Sequence, residues 1–275
     1  MKVVALERDS LKSAANRTVR SLVDRLGGSY QRRAVPVDPD KADLVVQWGF
    51  KPTPGLMSAI DAGVSYLIID LGYIDKGRTT NFSVSFNGFH GTAWQDPKVL
   101  DRPPRPSPSY RDWRAGTGDK VIVVGQMPND QSLRGQDIDA WMGRAATAAS
   151  EAFGKPVHKR PHPKMLNPWE PKPEPWETAV EDAYAVVTWT STSAIGSVLA
   201  GVPTIAMHPG NMAYRVAAHD MILRTPPGRA EWLHDIAWRQ WDFSSDADLD
   251  RLAEYIIEVA PELRDTPLDS PRNVL

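Results

Sequence analysis

The stretch that decides the fold runs from Ala183 to His208 and reads AYAVVTWTSTSAIGSVLAGVPTIAMH. Its apolar start predicts a buried strand, and a hydroxyl-rich turn then leads into a helix of small residues from Ala194 to Ala200. Gly201 and Pro203 are expected to end that helix before a second strand. The start of such a helix presents N–H groups and hydroxyls that favour an anion such as phosphate. The alternative interpretation is an ordinary crossover with a Ser/Thr helix cap.

Composition is typical of a globular protein without unusual chemistry. The 275 residues are 41% hydrophobic and 24% charged, with a formal net charge of −2, so no overall basic field attracts nucleic acid. The absence of cysteine excludes disulfides, thiolate zinc ligands and a thiol nucleophile. No apolar run approaches the roughly 20 residues of a membrane helix, and the first residues do not form a signal peptide. We therefore expect a cytoplasmic protein without a membrane span.

The first part of the chain alternates strand and helix patterns, which predicts a Rossmann-like sheet. Ligands of such sheets bind beyond the carboxyl ends of the strands. Asp70 follows the apolar run 66–69 at such an end, and Tyr73 lies just beyond it. Strands are expected at residues 3–6, 34–37, 44–48 and 66–69.

Residues 78–91 read RTTNFSVSFNGFHG and alternate apolar with polar side chains before Asn87 and Gly88. This pattern predicts a hairpin or an extended lid that turns at Asn-Gly. A surface β-arm is one interpretation. The other is an acceptor-side loop that carries Asn87 and His90, because loops on rigid scaffolds often carry function.

Residues 97–118 are rich in proline, which excludes a regular helix or strand and predicts an interdomain linker. Arginines alternate there with aromatic residues, among them Arg111 and Trp113. Such a run is either a solvated linker or a track for a polyanion such as DNA.

The second half places polar residues after three predicted strands. Gly125 and Gln126 follow the strand 120–124, Arg160 and His162 follow a short strand at 156–159, and Thr190 begins the hydroxyl-rich turn. These loops should converge at one edge of the sheet. Together they supply an exposed backbone, an amide, a cation, an imidazole and hydroxyls, which suits a nucleotide phosphate. Singly, each residue is also compatible with a turn, a capped loop or the surface.

The order VVGQ(x)3DQS, KRPHP and TSTSAIGSVLAGVPTIA resembles the nucleotide-sugar half of GT-B glycosyltransferases, in particular bacterial surface-polysaccharide transferases of the Kdo-transferase type. It also resembles small phage glycosyltransferases thought to decorate hydroxymethylated DNA bases. The likeness covers roughly residues 120–210 well, whereas the first domain shares only the general alternation of strand and helix patterns. It implies an α/β fold of two Rossmann-like domains facing a central cleft, with a nucleotide-sugar co-substrate. The donor-binding residues that it implies are Gly125, Gln126, Arg160, His162, Thr190, Ser191, Thr192 and Ser193.

Sugar transfer needs charge stabilisation for the departing phosphate and a base for the acceptor hydroxyl. Arginine and N–H groups can supply the first, and the acids at 137–139 and 246–250 look like helix caps, so we expect no metal or other cofactor. Asp70 is the first candidate for the base, and His90 and Asp75 are its substitutes. A strand-end acid that caps a loop is the alternative interpretation of Asp70.

The sequence thus predicts four segments and one activity. The segments are an acceptor-side domain with a lid hairpin at 1–96, a linker at 97–118, a nucleotide-sugar domain at 119–262 and a tail at 263–275, with the last helix as a candidate to cross back to the first domain. The activity is metal-independent glycosyl transfer to a hydroxyl, and the sequence gives no oligomeric state.

The best candidate for the acceptor is a 5-hydroxymethylpyrimidine in phage DNA, which would place the protein in the host cytoplasm. A surface-polysaccharide transferase, a nucleotide-sugar epimerase and a non-catalytic nucleic-acid-binding protein are the alternatives. The expected acceptor-binding residues are Tyr73, Arg78, Asn87, Arg111 and Trp113.

Overall fold

The computed structural model describes residues 1–10, 13–74, 80–114, 116–167, 169 and 173–271. These residues form two compact units. The first unit takes its described residues from Met1–Pro106 and Leu233–Leu275, and the second unit is formed from Ser107–Trp232. Each unit contains one β-sheet.

The elements that precede the second unit alternate as the sequence predicts. They are β1 (Val3–Glu7), α1 (Ala14–Val23), β2 (Ser29–Arg32), β3 (Leu44–Trp48), α2 (Pro54–Asp61), β4 (Ser65–Leu71) and β5 (Asn81–Phe86).

The remaining elements follow in chain order. They are β6 (Lys120–Val124), α3 (Ile138–Phe153), β7 (Val157–Arg160), α4 (Trp176–Ala179), β8 (Ala183–Thr188), α5 (Ser193–Leu199), β9 (Thr204–Ala206), α6 (Arg229–Trp238), β10 (Gln240–Asp242) and α7 (Asp246–Leu263). None of the helices in the described residues is both long enough and apolar enough to cross a membrane.

The sheet of the first unit has the strand order β10-β5-β4-β3-β1-β2. The four strands β2, β1, β3 and β4 are parallel, whereas β5 and β10 are antiparallel to their neighbours. Two details differ from the sequence prediction. The second strand lies at 29–32 instead of 34–37, and residues 81–86 form a sheet strand instead of one arm of a lid hairpin. Phe82, Val84 and Phe86 alternate because one face of β5 packs into the core.

The last helix, α7, belongs to the first unit. Its Leu252 and Ile256 are buried in one cluster with Val19 and Leu22 of α1, over the same face of the sheet. The structural division therefore differs from the predicted boundaries, because the apolar side of this helix has its packing partners in the first sheet. The sequence named this last helix as a candidate to cross back to the first domain, and its packing agrees with that expectation.

The proline-rich residues 97–114 pack against the protein instead of spanning open solvent. In the first unit, Arg102 pairs with Asp96 at 2.6 Å and Arg105 pairs with Asp248 at 3.0 Å. In the second unit, Arg114 donates two hydrogen bonds to the backbone carbonyls of Glu181 and Val180. These arginines are held by the chain itself, which removes the main argument for a DNA-tracking linker.

The sheet of the second unit is parallel throughout, with the strand order β7-β6-β8-β9. Helix α3 covers one face, where Trp141 and Met142 pack against Val123 and Val187. On the opposite face, Val186 packs with the side chains of the turn that follows α5 and with those of α4. Asp137 caps α3, as predicted, by accepting hydrogen bonds from the backbone N–H groups of its first turn.

Candidate functional site

Three polar loops leave the same edge of the second sheet. Because β7, β6 and β8 are adjacent and parallel, the residues that follow them lie side by side. The backbone N–H of Gly125 donates to the carbonyl of Arg160 at 2.8 Å, which joins the first two loops. A Cβ at Gly125 would lie 2.5 Å from the sulfur of Met142 in α3. Gly125 therefore allows close helix packing behind the loop.

A hydrogen-bonded network around Gln126 joins the loops after β6 and β8. The Gln126 amide donates toward Thr190 Oγ1 at 3.0 Å and Ser132 Oγ at 3.2 Å, and its carbonyl accepts from the Thr190 N–H at 2.9 Å. Ser132 in turn donates to Asp130 at 2.8 Å. Gln126 is only 5% exposed and Thr190 only 1% exposed. These two residues act as a brace between the loops, because their polar groups form hydrogen bonds with each other.

The turn from Ser191 to Ser193 carries the half-exposed hydroxyls of this edge. The Ser191 N–H donates to Thr188 Oγ1 at 3.2 Å, and the Ser193 N–H donates to Ser191 Oγ at 3.2 Å. These hydrogen bonds fix the backbone of the turn, which carries the side chains of Ser191, Thr192 and Ser193. Of the hydroxyl groups predicted to bind the donor, these three are the ones with solvent access.

Arg160 and His162 follow β7 and are both half-buried. The Arg160 guanidinium donates to the backbone carbonyl of Glu174 at 2.5 Å. The His162 ring accepts from the N–H of Lys164 at 3.2 Å, so it caps a short 3-10 turn. The cation and the imidazole are thus oriented by main-chain groups of the same loop.

Trp176 is a site residue that sequence reasoning missed. Its ring lies 5.5 Å from the Arg160 guanidinium carbon, which is cation–π distance. A Cβ at Gly196 would lie 2.6 Å from the indole nitrogen of Trp176. Because the glycine in the first turn of α5 has no side chain, this indole can approach the helix closely. Trp176 therefore joins the β7 loop to the first turn of α5.

A pocket of about 260 Å³ lies beside β6 and β7. Its lining includes Lys120, His158, Arg160 and Glu174 around the apolar side chain of Ile122. Lys120 forms a 2.8 Å ion pair with Asp182, and this hydrogen bond lowers the pKa of the Asp182 carboxyl. Its lining thus carries more basic side chains, including Lys120 and Arg160, than acidic ones.

The loop after β9 adds two buried polar residues that the sequence interpretation passed over. His208 accepts the N–H of Gly210 at Nδ1, at 2.9 Å, and its ring lies 4.9 Å from that of Trp189. Asn211 donates to the carbonyl of Trp189 at 3.1 Å. A histidine directly after a predicted strand was the available signal. These contacts fix the outer end of the Thr190 loop.

In the first unit, Asp70 lies at the carboxyl end of β4, as predicted. Its Oδ1 accepts from the N–H of Leu71 at 2.7 Å, and its cross-strand neighbour is Ser83. This contact is the capping role that was the alternative interpretation. The carboxylate is half-buried at this end of the strand.

His90 and Tyr73 lie together, with His90 Nδ1 3.3 Å from the Tyr73 hydroxyl. Tyr73 is 3% exposed, and its backbone N–H donates to Gln240 at 2.6 Å. Burial raises the pKa of the Tyr73 hydroxyl, which keeps it neutral near pH 7. Tyr73 therefore contacts His90 inside the unit instead of presenting its hydroxyl to a large acceptor.

Asn87 is buried at 1% exposure, and its side chain serves the fold. Its amide oxygen accepts from the Tyr66 N–H at 2.9 Å, and its amide nitrogen donates to the Leu263 carbonyl at 2.8 Å and to Thr266 at 2.6 Å. We therefore leave Asn87 out of the acceptor site, because these contacts join β4 to the end of α7.

The other predicted acceptor residues divide into described and undescribed positions. Arg78 and Asp75 lie outside the described residues. Arg111 is exposed, and Trp113 packs against Arg229, whose guanidinium carbon is 4.1 Å from the Trp113 ring and 4.5 Å from that of Tyr110. The aromatic groups of this run are thus occupied by an arginine of the same unit. Within the described part of the chain there is no group of three or more His, Cys, Asp or Glu side chains placed to hold a metal ion.

Solved structures with this fold include two sugar transferases. No protein-family model matches the chain, and no curated protein matches its sequence. Thermosulfurimonas dismutans KpsC, β-Kdo 2,4 transferase, is similar with a TM-score of 0.55 at 16% identity, over 88% of this chain and 92% of that one. Thermosulfurimonas dismutans KpsC, β-Kdo 2,7 transferase, gives a TM-score of 0.57 at 12% identity, over 94% and 99%.

These similarities confirm the predicted fold class, an α/β protein of two Rossmann-like domains of the GT-B type. The resemblance to the Kdo-transferase type is confirmed at the level of the fold. The resemblance to phage DNA-modifying enzymes finds no such support.

Proposed function

We propose that the chain is a glycosyltransferase that moves a sugar from a nucleotide-activated donor to a hydroxyl group of a glycan. The observation that carries this proposal is the meeting of three loops at one edge of the second sheet. Gln126 braces two of them, and Trp176 joins the third, which carries Arg160, to the first turn of α5. The fold shared with the two Kdo transferases, and the motif order of the sequence, support the same activity.

In this proposal the second unit binds the donor. Arg160 and the hydroxyls of Ser191, Thr192 and Ser193 stabilise the charge that develops on the departing phosphate, and His162 contacts the nucleotide. Fixed donors of this kind stabilise a developing charge without needing to reorganise during the reaction. Gln126 and Thr190 keep the loops in register and do not themselves touch the donor. No metal ion is assigned a role, since the cation and the hydroxyls supply the required charge stabilisation.

The acceptor that we propose is a sugar hydroxyl of a surface glycan. Both similar structures are Kdo transferases by name, and three of the arginines that suggested DNA contact, Arg102, Arg105 and Arg114, are bonded within the protein. A sugar acid of the Kdo kind is accordingly the first donor to test. A cytoplasmic location stays a prediction from the sequence.

The test is to incubate the protein with a panel of nucleotide sugars, including activated Kdo, and with three acceptor conditions: a surface-type oligosaccharide, hydroxymethylated duplex DNA, or none. We expect a mass increase of the oligosaccharide equal to one sugar residue, together with release of free nucleotide. Modified nucleosides after DNA digestion would instead identify a DNA acceptor. Conversion of the donor without any acceptor would indicate an epimerase, and absence of nucleotide-sugar binding by calorimetry would rule out both enzymes.

A further inference from the structure

The first unit contains a buried polar cluster on the side of β4 and β5 where Asp70 lies. The Tyr73 hydroxyl is 3.3 Å from His90 Nδ1 and 3.3 Å from Ser85 Oγ. Tyr73, Ser85 and His90 are 3%, 2% and 9% exposed. Polar groups at this depth cost stability unless they are paired, so the arrangement must satisfy each of them.

The backbone of His90 is strained. Its φ of 55° lies in the left-handed region, which is unfavourable for most non-glycine residues. Glycine adopts that conformation freely, and among the other residues asparagine, aspartate and histidine are found in it most often. The His90 imidazole packs between two aromatic rings. Its centroid lies 3.7 Å from that of Phe89, in a stacked arrangement, and 5.5 Å from that of Tyr73, in an edge-on arrangement. Strain of this kind is found at functional sites, where surrounding contacts hold it in place.

Arg239 supplies that support from the end of α6. Its Nη1 donates to the carbonyl of His90 at 3.3 Å, and its Nε donates to Asp235 at 3.2 Å. Arg239 is 8% exposed. Within the described part of the chain, its Nη2 is buried and has no hydrogen-bond partner. The buried Arg239 guanidinium therefore holds the backbone carbonyl of His90 in place, while its own Nη2 group lacks a hydrogen-bond partner among the described residues.

Among the described residues, the charged groups around the cluster are Arg239, Asp235 and Asp70. Asp235 in α6 and Arg239 just after α6 form an ion pair, while Asp70 at the end of β4 acts on Tyr73 through its charge. Burial raises the pKa of Tyr73, and the Arg239 charge partly opposes that rise. The hydroxyl therefore stays protonated near pH 7 and acts as a hydrogen-bond partner for His90.

We propose that Tyr73 and Arg239 are positioning residues that hold the imidazole of His90 as the proton-transfer group for the acceptor hydroxyl. This inference rests on the proposed glycosyl transfer. The imidazole takes the hydroxyl proton as the acceptor oxygen bonds to the anomeric carbon, and the bond from that carbon to its leaving oxygen breaks with its electron pair. Tyr73 sets the orientation of the ring through Nδ1, and Arg239 sets the position of its backbone.

The first test is Tyr73→Phe, which keeps the ring and removes the hydroxyl. A misplaced proton-transfer group should lower kcat by about 10- to 100-fold, within the range that general acid–base catalysis contributes. KM should change less than about twofold, because the acceptor contacts are intact. The matched control is Tyr255→Phe, which removes another buried hydroxyl of the same unit, bonded to Asp96 at 3.2 Å, and should leave kcat unchanged.

Two further variants test the imidazole and its support. His90→Asn retains a side chain that tolerates the left-handed backbone, so the protein should fold while kcat falls about 100-fold or more. Arg239→Lys retains the charge beside Asp235 but loses the planar fork that reaches the His90 carbonyl. Its kcat should lie between those of the wild type and His90→Asn, and its circular dichroism should match that of the wild type.

A measurement without substrate separates this inference from the proposed function. The titration of the His90 imidazole is followed by ¹⁵N NMR in the wild type and in Tyr73→Phe, and we expect its midpoint to move in the variant. If the wild type transfers sugar but Tyr73→Phe has the kcat and pH profile of the wild type, the positioning role is overturned and the transferase stands. If no sugar is transferred by the wild type, the proposed function fails, and an unchanged His90 titration would overturn the positioning role separately.

Discussion

The two units use polar residues differently around sheets of the same general kind. In the second unit, the polar residues lie in loops beyond the strand ends, and the side chains of Ser191, Thr192 and Ser193 keep solvent access. In the first unit, Tyr73 and Asn87 lie within the packed interior and bond to their own chain. A polar residue near a strand end therefore marks a candidate binding edge only if packing leaves its side chain accessible to solvent.

The second unit also shows how a binding edge is supported. Gln126 and Thr190 are nearly inaccessible and hold the loops together, and Trp176 packs against both Arg160 and Gly196. The first unit likewise combines a half-buried polar residue, Asp70, with a buried hydrogen-bonded pair, Tyr73 and His90. The following predictions test whether the second unit binds the donor and whether Asn87 and Tyr255 of the first unit serve the fold.

The largest expected effect is on donor affinity in the second unit. Arg160→Ala combined with His162→Ala removes the cation and the imidazole of the β7 loop. Hydrogen bonds to charged groups contribute about 1.5 to 3 kcal/mol each, so the donor Kd should rise by at least about 100-fold in calorimetry. The exposed neighbour Lys159→Ala is the control and should bind within about threefold of the wild type. Unchanged affinity in the double variant would show that the donor does not bind at this edge.

The next effect, on the free energy of unfolding, tests whether Asn87 supports the fold or binds the acceptor. Asn87→Ala removes an amide that holds Tyr66, Leu263 and Thr266, and the unfolding free energy should fall by about 2 to 4 kcal/mol. The exposed Asn129→Ala should have almost no effect in the same urea titration. At a temperature where the variant remains folded, KM for the acceptor should equal that of the wild type. A raised KM at full folding would return Asn87 to the acceptor site.

A smaller effect tests the contact between Trp176 and α5. Gly196→Ala places a methyl group 2.6 Å from the indole nitrogen, which should destabilise the protein by about 1 to 3 kcal/mol and weaken donor binding by displacing Trp176. Gly143→Ala in α3 is the matched control, because nothing lies within 4 Å of its added methyl group. That variant should gain about 0.5 to 1 kcal/mol from helix propensity. Equal stabilisation by both substitutions would show that Trp176 does not pack here.

The smallest effect concerns alkaline pH in the first unit. Burial raises the pKa of Tyr255, so the unfolded chain ionises this group from about pH 10 upward while the folded protein does not. Its contribution to stability is therefore complete below about pH 10 and is lost above it, with a slope of up to about 1.4 kcal/mol per pH unit. Urea unfolding at about pH 8 to 11 should show a shallower loss in Tyr255→Phe than in the wild type. An identical slope in both proteins would mean that Tyr255 is not buried.

Several features of the fold follow directly from local sequence patterns. The unit from Ala183 to Ala206 forms as predicted, since a buried run, a hydroxyl-rich turn and a Gly-Val-Pro stop each act over a few residues. Gly201 adopts a left-handed backbone with φ of 74° at the end of α5, as expected of a helix-ending glycine. The strand at 81–86 shows the limit of such patterns, because alternation predicts a strand without naming its neighbour.

Local sequence patterns were enough to show which loops carry the polar residues of the second sheet, because alternating strands and helices predict parallel strands whose carboxyl ends share one edge. Tertiary structure alone decided how those side chains are used. It made Gln126 a brace, placed Trp176 against Gly196, and paired Arg102 and Arg105 with acids of the first unit. These outcomes depend on contacts between residues far apart in the chain, and a hydrogen bond or an ion pair formed there consumes a group that the local pattern leaves open.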